Sequence, residues 1–152
     1  MYRLRRRPPH PVSPPAAVAV AEPLDPTTQR ILVVEDSDCL RAVAVRTLSA
    51  RGYAVTEARH GKDALRVIEE TAKPFDLVVT EMVMPVMSGY KLGQRLARQR
   101  PGLPVLYLSA AVNENETLVP LGSASGRTQF LRKPFVPDDL VRQVTQSLRA
   151  PV

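Results

Sequence analysis

Five polar side chains in this sequence stand at the ends of short apolar runs. Glu35 and Asp36 follow ILVV (31–34), Glu81 closes LVVT (77–80), Ser109 follows VLYL (105–108), and Lys133 lies just past Phe130-Leu131. If the runs are parallel strands of one sheet, their carboxyl ends share an edge, the place where open α/β sheets bind ligands. Three carboxylates gathered there repel one another and require a cation. Hard oxygen donors describe Mg2+, which takes one or two protein carboxylates and leaves room for water and phosphate oxygens. The lysine pairs with an anion or with the central acid, and the hydroxyl donates to a phosphoryl oxygen. Such a site can place a phosphoryl group on a carboxylate and neutralise its charge. Each residue alone has a plainer reading: Glu81 as a strand-end acid facing water, the others as independent surface groups.

The intervening sequence supplies the elements that must position them. The runs at 31–34, 77–79 and 105–108 are continuously apolar, as in parallel strands covered by helices on both faces. Tyr53–Ala58 reads as a further short strand and Phe130-Leu131 as a brief fifth one. Between them lie helical periodicities. Leu40, Val43, Ala44, Thr47 and Leu48 recur every three to four residues, with Ser37 or Asp38 as the cap and Gly52 as the stop. Residues 61–70 carry Ala64, Leu65 and Ile68 on an inner face. A third helix begins near Gly89 or Tyr90 and buries Leu92 and Leu96. The last, Pro137–Arg149, repeats Leu140, Val144 and Leu148, with Pro137 in its first turn. Residues 111–128 hold asparagines, glutamates, Pro120 and two glycines, which allow at most a short helix near 114–119. Five alternations of strand and helix predict an α/β, doubly wound parallel sheet with right-handed crossovers.

Composition bounds the rest. A chain of 152 residues with 44% apolar content fits one domain plus a tail. Residues 1–29 form that tail or linker: they are rich in proline and arginine and show no periodicity, which favours extended, solvated backbone. Residues 30–150 form the domain. The single cysteine, Cys39, excludes an internal disulfide and reads as a small packing residue; with no convincing signal peptide or membrane span, the cytoplasm is the expected compartment. The formal charge of +6 invites a nucleic-acid partner. Yet there is no helix-turn-helix, no finger spacing, no aromatic-basic interleaving and no Trp, so no specific nucleic-acid binding is expected.

The blocks ILVVEDSD, DLVVTEMVMPVMSG, VLYLSA and FLRKPF, in this order and spacing, resemble the receiver domain of two-component response regulators over about residues 30–150. The resemblance implies a flavodoxin-like five-stranded parallel sheet of order 2-1-3-4-5. It implies that Glu35 and Asp36 bind Mg2+ with the backbone carbonyl of Val83 and the acid at 81, and that Lys133 contacts the phosphoryl group across a bond to Pro134 that is often cis. It assigns Ser109 and Phe130 to the switch that follows phosphorylation, and Pro85 and Gly89 to the turn after the acceptor. The implied partner is a histidine kinase or phosphotransfer protein, with a homodimer contact through the face of the last helix. The irregular stretch at 111–128 and the proline-rich lead-in are similar to receivers tethered to hybrid sensor kinases, where tethering raises effective concentration.

One departure matters most. Glu81 stands where the family places its phosphoaccepting aspartate, and Asp76 is no substitute because it precedes the strand. The extra methylene displaces the attacking oxygen by about an ångström, enough to cost roughly a hundredfold where geometry is tight. The longer carboxylate reaches instead towards Lys133 and Ser109, a partial imitation of the phosphorylated state with less charge and fewer acceptors. The expected protein is therefore a non-enzymatic phosphorelay receiver that signals by contact and is poorly phosphorylated. Three rivals stand beside it. A docking pseudo-receiver would bind no Mg2+. A small Mg2+-dependent phosphatase would need a second acid and a cap, for which the chain is too short. A nucleotide-binding module would need a Gly-rich loop after the first strand, where acids stand instead.

Overall fold

The structure, a computed structural model, describes residues 28–110 and 128–149. Five strands, β1 (Arg30–Val34), β2 (Ala54–Ala58), β3 (Leu77–Glu81), β4 (Val105–Ser109) and β5 (Thr128–Arg132), pair in parallel in the order β2-β1-β3-β4-β5. Among the described residues, four helices accompany them: α1 (Asp38–Ser49), α2 (Gly61–Glu70), α3 (Gly89–Gln99) and α4 (Pro137–Arg149). The strand order is the one the sequence implies. The short helix expected near 114–119 lies outside the described residues, as does the tail at 1–27.

Side chains alternate across each strand, so a sheet with helices on both sides needs apolar residues at every position. Leu32, Val34, Val78, Val105 and Tyr107 pack on one face with Leu65 of α2 and Leu92 and Leu96 of α3. Ile31, Val33, Leu77, Val79, Leu106 and Leu108 pack on the other with Leu48 of α1 and Leu140 and Val144 of α4. The sheet thus carries a separate core on each side. This is why ILVV and LVV contain no polar break, and why β3 and β4 are buried at every position.

The helix starts are fixed locally. Ser37 Oγ accepts from the Leu40 amide at 3.3 Å, and Ser88 Oγ accepts from the Lys91 amide at 3.1 Å. His60 caps α2 through Nδ1, which accepts from the Asp63 amide at 3.2 Å. Gly89 opens α3 where a Cβ would run into the backbone carbonyl of Glu81. Its amide donates to Met82 O at 3.0 Å, so α3 starts directly against the end of β3.

Two sequence expectations are corrected on α1. Its buried stripe is Arg41, Ala44 and Leu48; Leu40 and Val43 are exposed. The helix is rotated by about one residue from the apolar stripe, because a buried arginine holds its first turn. Cys39 is exposed and is not a packing residue.

Candidate functional site

The carboxyl ends of β1, β3, β4 and β5 meet at one edge, beside the point where the strand order reverses between β1 and β3. Register places Glu81 opposite Leu108, and Ser109 opposite Arg132. The Lys133 amide donates to Ser109 O at 2.9 Å, which fastens the end of β5 to the end of β4. The next bond, Lys133–Pro134, is cis. From there the lysine turns back into the edge. Its Nζ lies 3.0 Å from Glu35 Oε2 and forms an ion pair with Glu81 Oε2.

Both carboxylates are almost wholly buried, and both use their second oxygen. Glu35 Oε1 accepts from the Ser37 amide at 3.2 Å. Glu81 Oε1 accepts from the Met82 amide at 2.9 Å and from the Val83 amide at 3.4 Å. Glu81 is therefore no strand-end acid facing water: it is 8% exposed, with its oxygens divided between the loop amides and the lysine. One ammonium serves two acids. Burial pushes the Glu35 carboxyl above its ordinary value; the hydrogen bonds from Lys133 and the Ser37 amide resist this, while the Glu81 charge adds to it. Burial also works against the charged form of Lys133. The bonds and charges of Glu81 and Glu35 outweigh it, and the lysine pKa ends above its usual value.

The other expected site residues are placed as follows. Ser109 is buried at the end of β4. Asp36 is exposed and follows Glu35 in the chain. Val83 lies on the exposed loop after β3 and turns its amide to Glu81. Phe130 is half-buried on β5, its ring stacked on Tyr107. Asp76 accepts from the Arg30 amide at 2.7 Å, at the amino end of β1, the far end of the sheet from the site.

Arg41 is the residue that sequence reasoning missed. It is 7% exposed. Its NH1 donates to Glu35 O at 2.9 Å, its NH2 to Asp38 Oδ1 at 2.6 Å, and its Nε lies 3.8 Å from Glu57 Oε2. It pins the acidic turn from behind and holds the Asp38 carboxyl below its usual range. The available signal was position, since 41, 44 and 48 share a helix face. Residue type pointed the other way.

Apolar groups rim the site. Leu40, Val43, Val83, Val86 and Val136 are the exposed large hydrophobics among the described residues, and all stand at this end of the sheet. A groove of about 400 Å³ lined by Leu40, Val43, Phe135, Pro137 and Leu140 opens between α1 and α4 next to Lys133.

Among the described residues, no three carboxylate, imidazole or thiol side chains converge at metal-binding spacing. The carboxylates of Glu35 and Asp36 and the Val83 backbone carbonyl are nonetheless oxygens of the hard kind that Mg2+ prefers. The donor chemistry fits the ion, although Lys133 already neutralises Glu35.

A 2-1-3-4-5 parallel sheet with acids and a lysine gathered at its switch point is the architecture of a receiver-type signalling module. The chain belongs to the response regulator receiver domain family, whose model matches residues 31–145. It is 35% identical over 118 residues to sensor kinase CckA of Brucella abortus, covering 78% of this chain and 12% of the kinase. It is 28% identical over 118 residues to response regulator SaeR of Staphylococcus aureus, covering 78% of this chain and 50% of that protein. The chain thus spans half or less of these relatives. Among solved structures, chemotaxis response regulator CheY4 of Vibrio cholerae superposes with a TM-score of 0.70 at 30% identity, over 80% of this chain and 100% of that one. The receiver domain of the hybrid histidine kinase CckA does so with a TM-score of 0.64 at 37% identity, over 79% and 99%. No helix among the described residues is long and apolar enough to cross a membrane.

Proposed function

We propose that this receiver takes a phosphoryl group poorly and is held part-way to its signalling state by its own glutamate. The observation behind this is the Glu81–Lys133 ion pair. Lys133 is the cation placed to meet an incoming phosphoryl oxygen at this strand edge. Here the carboxylate of Glu81 reaches that lysine, while its other oxygen is held by the Met82 amide. Neither oxygen is presented for in-line attack, and the charge the phosphoryl group would bring is partly supplied.

Glu35 and Asp36, with the Val83 carbonyl, are the groups that would hold Mg2+. The ion would neutralise phosphoryl charge at the mouth of the site. The chain's own residues do the remainder: Lys133 offsets the negative charge, Ser109 offers a hydroxyl, and Arg41 fixes the acidic turn. The partner is a cytoplasmic histidine kinase or phosphotransfer protein. Likeness to CckA supports this, as does the apolar rim of Leu40, Val43 and Val136 around a charged centre, which suits a helical partner presenting a histidine. The proline- and arginine-rich residues 1–29 act as a tether to such a partner.

Intact-mass measurement after incubation with acetyl phosphate and Mg2+ tests this reading. The native chain should gain little or no phosphoryl mass, and Glu81→Asp should gain one group. Stoichiometric, alkali-labile phosphate on Glu81 in the native chain would overturn it.

A further inference from the structure

Tyr107 is the middle residue of β4, two positions before Ser109 and on the same face of the strand. It is 2% exposed. Its ring lies 5.3 Å from that of Phe130 on β5, with 21° between the planes. Its hydroxyl points the other way, into α3. A Cβ at Gly93 would collide with that hydroxyl and lie 2.8 Å from Tyr107 Cζ. A glycine in mid-helix weakens the helix, and at Gly93 its missing side chain is the space the phenol fills. Burial and the nearby Tyr90 phenol push the Tyr107 pKa up to about 12.

A hydroxyl this deeply buried carries a desolvation cost that phenylalanine would avoid. What the hydroxyl adds is reach: with it, one rigid side chain spans from Phe130 to the backbone of α3. We propose that Tyr107 is a relay that ties the ring of Phe130 to α3 through Gly93, so that movement of Phe130 is felt on the outer face of that helix. The proposal rests on reading the strand-end site as a switch, and it assigns that switch a route. If Phe130 rotates away, Tyr107 loses its stacking neighbour and gains room, and its hydroxyl withdraws from Gly93. The first turns of α3 then loosen, carrying the exposed Lys91, Gln94 and Arg95 with them. Close packing makes this a choice between two arrangements rather than a graded drift.

Amide hydrogen exchange along α3 in the native protein, Phe130→Leu, Tyr107→Phe and the double variant tests the relay, with global unfolding measured in parallel to remove overall stability. Tyr107→Phe keeps the ring stack and removes only the reach to Gly93. With Tyr107 present, Phe130→Leu should speed exchange at residues 92–96 by more than about twofold; in the double variant the same change should have no effect beyond global stability. An equal effect in both backgrounds, or none in either, would overturn the relay. Glu81→Gln separates this from the reading of the site. If that variant leaves α3 and Ser109 untouched while the Phe130 effect persists, the site reading fails and the relay stands.

Discussion

Arg41 carries more of the acidic turn than its residue type suggests. A buried guanidinium is costly to desolvate, and here three oxygen groups compensate it. Arg41→Met leaves Glu35 O without its donor and should cost about 1–3 kcal/mol in urea unfolding. Arg41→Lys keeps the charge but not the fork, and should fall between. Tyr107 gives a second prediction at this scale. Its pKa moves from 10.0 to about 12, so between those values the unfolded chain has lost a proton that the folded chain retains. Stability must therefore fall as pH rises through that window, with a slope of about 1.4 kcal/mol per pH unit for this one group. Tyr107→Phe should remove that share of the slope. An ultraviolet tyrosinate titration should likewise lose a phenol that titrates at about 12. Sequence made Glu35, Asp36, Glu81, Ser109 and Lys133 visible as a set because each stands at the end of an apolar run. It hid Arg41, since an arginine on a helix ordinarily reads as solvated, and it hid Tyr107, since a tyrosine within VLYL reads as filler.

Among the elements, the loop from β3 to α3 bears visible strain. Val86 sits at φ 67°, a left-handed backbone conformation that β-branched residues rarely adopt. It lies five residues past Glu81, with its side chain exposed, so no packing requires valine there. Val86→Asn should raise stability by about 1 kcal/mol in thermal or urea unfolding. Gly89 in the same loop has the opposite character, because a Cβ there meets the Glu81 carbonyl; Gly89→Ala should destabilise and displace the start of α3. Strands and helices were readable to within a residue or two wherever apolar periodicity was strong: α2 and α4 match their expected bounds, and β1 and β4 are each one residue longer. The failure on α1 is instructive. Leu40 and Val43 keep helical spacing but belong to the rim of a groove, and periodicity alone does not separate an apolar rim from an apolar core.

For the whole molecule, the two-sided sheet explains why so short a chain can hold a buried charge cluster. Each face has its own core, and the strand ends between them form an edge where Lys133, brought from β5, reaches acids on β1 and β3. Strand order is a global property; alternation of elements alone gave the doubly wound class, and the order came from resemblance in the blocks around the site. The ion pair itself was legible only as reach, from one extra methylene at position 81. That Glu81 stands in for a phosphoryl group is tested most directly by amide chemical shifts at Ser109, Phe130 and Lys133. These are compared among the native chain, Glu81→Asp alone, and Glu81→Asp saturated with Mg2+ and beryllofluoride, a phosphoryl mimic. The native shifts should lie on the line between the two Glu81→Asp states, displaced towards the beryllofluoride form. Native shifts that coincide with the unliganded Glu81→Asp protein would contradict it.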